Sequence, residues 1–146
     1  MPHALVLNDI HVIFSTRERR KRIVGPVRER LWAYMRGIAR DYQIDLIAIG
    51  GIEDHVHMLI RLPAKLSLAN AVRVIKANSS KWMNESGHLF SWQAGYSAFS
   101  VSRSNEEAVA AYIRDQAAHH AKHSFEEELE AFLIKHGIPF NRESLG

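Results

Sequence analysis

The stretch Gly50-Gly51-Ile52-Glu53-Asp54-His55-Val56-His57-Met58-Leu59-Ile60-Arg61-Leu62 is typical of a polar turn followed by an apolar strand. Side chains along a strand alternate between its two faces, so His55 and His57 point to one side and Val56 points to the other. Two neutral imidazoles on one face of a stiff strand are a good start for a divalent metal site. The remaining ligands must then come from elsewhere in the chain.

The spacing of the two histidines is weak evidence when it is taken alone. With 9 histidines in 146 residues, random placement gives roughly half of one such pair. Two surface or core histidines on an antiparallel sheet are therefore the alternative to a metal site. The position just after a turn, with apolar residues between and after the two, favours the metal site.

Length and composition are typical of one globular domain, expected to span residues 1–146. The chain has no cysteine, which excludes disulfides and thiolate metal sites and agrees with a cytoplasmic location. The first residues do not follow a secretory signal pattern, and no stretch approaches the roughly 20 apolar residues of a membrane span. We expect a soluble, untargeted protein with no membrane contact.

Positive charge is concentrated in the first part of the chain. Residues 1–86 hold 14 Lys and Arg against 8 Asp and Glu, whereas residues 87–146 hold 5 against 8. The run Arg17-Glu18-Arg19-Arg20-Lys21-Arg22 is explained either by a solvated loop or by contact with a phosphate backbone. A second basic surface is expected on the second helix. The candidate phosphate-binding residues are Arg17, Arg19, Arg20, Lys21, Arg22, Arg73, Lys76 and Lys81.

Apolar periodicity predicts the elements of the first hundred residues. Each is bounded by a turn or cap signal, such as Ser67 before the second helix. In chain order they are a first strand within residues 5–16, a helix over residues 27–42, a second strand over residues 44–49, a turn from Gly50 to Asp54, the histidine strand ending at Pro63, a second helix after Ser67, and a fourth strand from one of the two pieces 89–93 and 98–102.

Two more helices follow, each with an S-x-x-E start signal, at Ser104–Glu107 and at Ser124–Glu127. The first is predicted to run without a break through Tyr112–His120, and the second ends at Gly137. The order β-α-β-β-α-β predicts an α+β, ferredoxin-like fold: an antiparallel sheet with helices on one face and two additional C-terminal helices.

Tyr112, Gln116 and His120 are four residues apart and therefore share one face of the predicted helix. A core tyrosine with its hydroxyl at the edge and an exposed glutamine are the alternative explanation. Together with the histidine pair, however, Gln116 is suited to be an oxygen ligand and Tyr112 to be a nucleophile beside the metal.

These segments together resemble the small single-tyrosine transposases that act on single-stranded DNA, including relatives associated with repetitive extragenic palindromes, within the histidine-hydrophobic-histidine (HUH) nuclease superfamily. The resemblance covers nearly the whole chain, and its motifs occur in the family's order. One departure is Asp115, where the family usually has Asn; it faces away from the line of Tyr112 and Gln116. The motifs are His11–Thr16, Asp54–His57, Lys76 with Ser79-Ser80, Trp92–Tyr96, Tyr112–Gln116, His119-His120, and Phe125 with Glu127-Glu128.

The resemblance implies that His55, His57 and Gln116 bind a divalent metal and that Tyr112 is the nucleophile. The tyrosine would attack a phosphodiester, expel a 3′-hydroxyl and retain the bond as a 5′-phosphotyrosine for rejoining. The family uses Mg²⁺ or Mn²⁺, and imidazole ligands favour Mn²⁺ of the two.

A phenol with a pKa of about 10 needs help to ionise at neutral pH. His119, His120 and Lys76 are candidates for this help, placed around the metal ligands. For His120, a cap or a core contact is the alternative.

The implied substrate is a single DNA strand folded into an imperfect hairpin, with the basic residues named above along its phosphates. One or two of Trp82, Trp92, Tyr96 and Phe99 would stack on unpaired bases. The resemblance also implies a homodimer. A site completed in trans, by the tyrosine helix of the partner, is a further hypothesis.

Two other classes of protein fit parts of the pattern. A non-catalytic ferredoxin-like nucleic-acid-binding module would bind without metal and form no product. A zinc hydrolase would use His55, His57 and a water molecule, and Tyr112 would then be incidental.

Overall fold

The computed structural model describes residues 5–120 and 123–141. The strands are β1 (Asp9–Ser15), β2 (Asp45–Ile52), β3 (His55–Arg61) and β4 (Ser97–Val101), and the helices are α1 (Val27–Asp41), α2 (Leu68–Glu85), α3 (Glu106–Arg114), α4 (Gln116–His120) and α5 (Phe125–Lys135). Short 3₁₀ turns cover Arg17–Arg19 and Arg103–Asn105. The strands form one antiparallel sheet in the order β2-β3-β1-β4. This topology confirms the predicted α+β, ferredoxin-like fold.

One face of the sheet packs against α1 and α2. Val56, Met58 and Ile60 of β3 point to this face and are fully buried, because their spacing of two places them on one side of the strand. The helices contribute apolar side chains spaced three and four residues apart, as an amphipathic helix requires. They include Leu31, Met35 and Ile38 of α1 and Val72, Ile75 and Met83 of α2.

The opposite face carries His55 and His57 and is covered by α3 and α5. Two smaller apolar clusters attach these helices to the sheet, and both faces are therefore closed to solvent. This explains why all seven residues of β1 are buried. One cluster consists of Ile13, Phe99, Phe125, Leu129 and Leu133, and the other consists of Ala48, Leu59, Ala110 and Ile113.

The turn before β3 is shorter than predicted and consists of Glu53-Asp54. Gly50 and Gly51 belong instead to β2, where they pair with β3. A Cβ atom at Gly50 would lie 2.1 Å from the carbonyl oxygen of Ile113 in α3. The glycine is thus explained by the close approach of two backbones and not by a turn.

The predicted helix through Tyr112–His120 is broken at Asp115. The backbone of Asp115 leaves the helical region, with φ −102° and ψ 29°, and Asp is a weak residue in a helix interior because its side chain competes for backbone groups. The described part of the chain therefore has three helices after β4, where two were predicted. The break turns the side chain of Gln116 inward, and that residue is buried.

The cap predictions have mixed outcomes. Ser67 caps α2, and Ser124 with Glu127 forms the reciprocal capping box of α5. Ser104 does not cap α3, because its hydroxyl lies 3.1 Å from that of Ser102 and a 3₁₀ turn precedes the helix.

Of the two short pieces, residues 98–102 correspond to the fourth strand. Residues 89–93 contribute only the bridge between Thr16 and Trp92. Each helix in the described ranges is too short or too polar to cross a lipid bilayer.

Candidate functional site

His55 is held on β3 with one ring nitrogen turned toward its neighbours on α4 and α5. Its Nδ1 lies 2.8 Å from the Asp54 carboxylate, and its ring is fully buried. Burial alone would raise the pKa of Asp54, but the hydrogen bond from His55 and nearby positive charge together outweigh burial and lower that pKa. The ionised Asp54 carboxylate is suited to accept a hydrogen bond from Nδ1 of His55, and Nε2 of the ring faces the site.

His57 is the second imidazole on this face, and both of its nitrogens have partners. Its Nδ1 lies 2.8 Å from Nε2 of His11 on β1, and its Nε2 lies 2.8 Å from Oε1 of Glu128. Burial lowers the pKa of His57 to about 4 and that of His11 to about 3. Both rings are therefore neutral near pH 7, the protonation state that a metal ligand requires.

Gln116 and Tyr112 reach the histidine pair from the break between α3 and α4. Oε1 of Gln116 lies 3.2 Å from Nε2 of His55 and 3.1 Å from Nε2 of His120. The Tyr112 hydroxyl donates a hydrogen bond to the Glu128 carboxylate. Burial, followed by the bond to Glu128, raises the pKa of Tyr112. The phenol is thus protonated in this arrangement.

The structure places both adjacent histidines, His119 and His120, beside this group. Nε2 of His119 lies 3.3 Å from the Tyr112 hydroxyl. His120 contacts Gln116 and Glu128 through Nε2, at 3.1 and 3.2 Å. Lys76, in contrast, donates hydrogen bonds to the backbone carbonyls of residues 93 and 95, at 2.6 and 3.0 Å, on the α2 side of the sheet. The structure therefore does not place Lys76 beside Tyr112.

Glu128 lies at the centre of the site and is absent from the residues predicted to act there. It is 4% exposed although it is an acid within the run Glu126–Glu128. Burial alone would raise its pKa, but hydrogen bonding and charge from His57 and the bond from Tyr112 outweigh burial and lower that pKa. Two sequence signals were available. Glu128 belongs to the family motif of Phe125 with Glu127-Glu128, and it follows Phe125 by three residues and precedes Phe132 by four, so it shares their apolar helix face.

The donor atoms of this cluster fit a divalent metal ion. One ligand atom each from His55, His57, His120 and Glu128 lies within 4.8 Å of the others. Donors on opposite sides of one ion with bonds of roughly 2.2 Å are about 4.4 Å apart. Nε2 of His55 also lies 3.2 Å from the side-chain carbonyl oxygen of Gln116, a further oxygen donor beside the cluster.

The basic residues predicted to bind phosphate are mostly on the surface and outside this cluster. Arg17, Arg20 and Lys21 are exposed, as are Arg73 and Lys81 on α2. A cavity of about 360 Å³ is lined by Arg17, Glu18, Arg20, Arg22, Leu89, Phe90 and Ser91.

Arg19 differs from the other residues of the basic run. It forms an ion pair with Glu126 of α5, and its guanidinium lies 5.9 Å from the ring centroid of Phe125. The basic loop is therefore attached to the helix that carries Glu128.

The four aromatic residues predicted to stack on bases fall into two groups. Trp92 and Phe99 are 8% and 3% exposed, so their rings are part of the core and not available to a base. Tyr96 is 39% exposed. Trp82 is partly buried and stacks on Tyr34, with ring centroids 4.9 Å apart.

Comparison with known proteins gives matches at the level of sequence and of structure. The model of the IS200-like transposase family matches residues 5–116. The transposase for insertion sequence element IS200 of Salmonella typhimurium is 26% identical over 114 residues, covering 73% of this chain and 74% of that protein. The ISDra2 transposase TnpA of Deinococcus radiodurans is 25% identical over 118 residues, covering 74% and 83%.

Two solved structures share the fold. A transposase candidate from Deinococcus radiodurans R1 superposes with a TM-score of 0.62 and 24% identity, covering 80% of this chain and 96% of that one. A REP-associated tyrosine transposase bound to a REP hairpin superposes with a TM-score of 0.58 and 16% identity, covering 77% and 70%.

Proposed function

The chain belongs to the IS200-like transposase family, and on this premise we propose that it is a metal-dependent tyrosine transposase. It cleaves and rejoins single-stranded DNA at hairpin-flanked sites through a 5′-phosphotyrosine intermediate. The observation that carries the proposal is the position of the Tyr112 hydroxyl, which contacts Glu128 and lies 3.3 Å from His119, at the edge of the histidine cluster.

The chemistry assigned to Tyr112 is attack on a phosphodiester. Its oxygen forms a bond to phosphorus while the bond from phosphorus to the 3′ oxygen breaks, so the phenol loses a proton and the departing oxygen gains one. Attack by a second 3′-hydroxyl reverses these changes and joins new ends. A tyrosine serves this purpose where water would not, because the covalent bond is conserved between the two steps.

His55, His57 and Gln116 are proposed to hold the metal through two imidazole nitrogens and one amide oxygen. A bound divalent ion supplies positive charge beside the phosphate oxygens during the displacement. Asp54 and His11 fix the ring orientations of the two histidines through their Nδ1 atoms, at 2.8 Å in each case. The proposed ion is Mg²⁺ or Mn²⁺, and imidazole ligands suit Mn²⁺ better.

The proposed substrate is a DNA hairpin with an adjoining single strand. It is supported by the REP hairpin bound to the structural neighbour and by the exposed arginines and lysines of residues 17–22. Arg73 and Lys81 offer further contacts along α2. Such contacts neutralise phosphates, so we expect binding to weaken with increasing salt.

Replacement of Tyr112 by Phe tests the proposed nucleophile. The variant removes one oxygen from a partly buried ring and should keep hairpin binding, but it should lose both cleavage and the covalent adduct. The measurement is a denaturing gel of labelled single-stranded hairpin DNA incubated with protein and Mn²⁺. A normal adduct yield from Tyr112→Phe would refute the assignment.

The same gel separates the alternative functions with the unaltered protein. A shifted, protein-linked band supports the transposase chemistry. Free cleaved product without a linked band would instead support a hydrolase in which Tyr112 is incidental. Unchanged DNA, with binding retained, would support a non-catalytic binding module.

A further inference from the structure

Glu128 comes from a part of the chain that the family model does not match. The match ends at residue 116, whereas Glu128 lies on α5, one helix later. We propose that the Glu128 carboxylate is a metal ligand and that its second oxygen positions the Tyr112 hydroxyl, so that α5 is an integral part of the site. This inference rests on the proposed function for the presence of the metal.

The two oxygens of Glu128 face different groups. Oε1 lies 2.8 Å from His57 Nε2, 3.2 Å from His120 Nε2 and 3.7 Å from His55 Nε2. This oxygen is thus directed at the three imidazoles that form the candidate metal cluster with it. A carboxylate beside imidazoles is a donor set that first-row divalent metals accept.

Oε2 is directed toward the nucleophile. It accepts the hydrogen bond from the Tyr112 hydroxyl and lies 3.3 Å from both His119 Nε2 and Gln116 Nε2. One carboxylate therefore spans the metal cluster and the phenol. This arrangement fixes the distance between them, which is the role of a positioning residue.

Apolar packing alone does not explain why the Glu128 carboxylate is buried. Its side chain is 1% exposed, and among the described residues all of its ion-pair partners are histidines. A buried anion is stable only where positive charge or a full set of hydrogen bonds compensates it. Hydrogen bonds from His57, Tyr112 and Gln116 supply part of this compensation, and a divalent ion among His55, His57 and Glu128 would supply the positive charge.

Several contacts hold α5 so that Glu128 can act from it. Phe125, Leu129 and Leu133 pack into the cluster on the sheet, next to Ile13 and Phe99. The capping box of Ser124 and Glu127 fixes the first turn of the helix. These contacts keep the Glu128 carboxylate beside the histidines, where it can bind the ion.

Titration of the full-length protein with Mn²⁺ tests the ligand role through the dissociation constant. Even the loss of an outer partner costs metal sites roughly 10–100-fold in affinity, so Glu128→Gln should raise the Kd for Mn²⁺ by at least about tenfold. Glu126→Gln is the matched control, because it removes the same charge from the same helix at a carboxylate that faces Arg19. Its Kd should stay within about twofold of the wild type.

Unchanged Mn²⁺ affinity in a folded Glu128→Gln variant would overturn the inference. A measurement on the wild type guards against a variant that fails to fold: hydrogen exchange of the α5 amides should slow when Mn²⁺ is added. Equal exchange with and without saturating Mn²⁺ would also overturn the inference.

The outcomes for the metal ligand and for the nucleophile are separable. Glu128-dependent Mn²⁺ binding without any covalent adduct would refute the proposed function and leave the ligand assignment standing. A covalent adduct in the wild type, together with Mn²⁺ binding that does not depend on Glu128, would refute the ligand assignment and leave the proposed function standing.

Discussion

Gly50 lies where the backbone of β2 meets the C-terminal end of α3. A Cβ atom there would lie 2.1 Å from the carbonyl oxygen of Ile113 and 3.5 Å from the Cα of Arg114. Ile113 directly follows Tyr112, so the absence of a side chain at one position in the sheet sets how closely the tyrosine can approach the histidines.

Replacement of Gly50 by Ala should therefore destabilise the protein and displace α3. Overpacking of this kind costs about 1–3 kcal/mol, measurable as a lower free energy of unfolding in urea. Gly37→Ala is the control, because its Cβ would meet only a side-chain nitrogen of Arg40 at 3.9 Å. In the interior of α1 that change should stabilise the protein by about 0.5–1 kcal/mol. Equal stability of Gly50→Ala and the wild type would contradict the close-approach argument.

The site residues that sequence reasoning could identify are those with a local pattern. His55 and His57 share a strand face, and Tyr112 and Gln116 are four residues apart, so their juxtaposition follows from the period of each element. His11 and Glu128 could not be placed in this way. Each contacts His57 across a separation of 46 or 71 residues, and the pairing depends on how whole elements pack.

Three elements are joined by a network around Arg61 at the end of β3. Its Nε lies 2.9 Å from Oδ1 of Asp9 in β1, and its Nη2 lies 2.6 Å from Oε2 of Glu106 at the start of α3. The Asp9 side chain is fully buried. Burial alone would raise the pKa of Asp9, but the hydrogen bond from Arg61, a hydrogen bond with Glu106 and the charges of Arg61 and Arg103 together outweigh burial and lower that pKa.

The stability supplied by Asp9 should accordingly depend on pH. Because the folded pKa lies below the unfolded value of about 3.9, the stabilisation is fully present above that value and is lost as pH falls through the folded pKa. Asp9→Asn should cost about 1–3 kcal/mol at pH 7. The difference in unfolding free energy between Asp9→Asn and the wild type should shrink below about pH 4. Urea unfolding between pH 7 and pH 3 measures it.

Asp41→Asn is the control for this experiment, since Asp41 is exposed at the end of α1. It should leave the stability nearly unchanged at both ends of the pH range. A pH-independent difference between Asp9→Asn and the wild type would contradict the role given to the Asp9 carboxylate.

At the level of elements, periodicity predicted the four strands and the first two helices because each repeats its apolar spacing over several turns or residues. The break at Asp115 was missed, since the pattern of Tyr112, Gln116 and His120 continues in register across it. Residues 89–93 were ambiguous for a different reason. Phe90 and Trp92 have strand-like spacing but are buried against α2 and Phe14 without joining a ladder.

Across the whole molecule, the described chain brings its own Tyr112 into contact with the carboxylate that faces His57. Helix α3 also packs on β2 and β3 of the same chain through Ile113, Ala48 and Leu59. These contacts favour a site completed within one chain, whether or not two chains associate. The homodimer and the arrangement in trans remain predictions from the family resemblance.

Mixing two inactive variants distinguishes the arrangements. His55→Ala lacks a proposed metal ligand and Tyr112→Phe lacks the proposed nucleophile, so a site in cis leaves every subunit of a mixed population defective. We expect no recovery of covalent adduct, measured on denaturing gels after the variants have been co-refolded. Recovery toward one quarter or more of wild-type yield would instead indicate that the partner's tyrosine completes the site.

The residues of the candidate site lie far apart in the sequence, and this has a consequence for biosynthesis. Glu128 follows His57 by 71 residues, and translation proceeds at about 5–20 residues per second, so the carboxylate is made roughly 4–14 s after the imidazole that it contacts. For most of that interval the nascent polypeptide has its histidine strand but not Tyr112, and throughout it lacks Glu128. The proposed site can therefore be completed only after α5 has been synthesised.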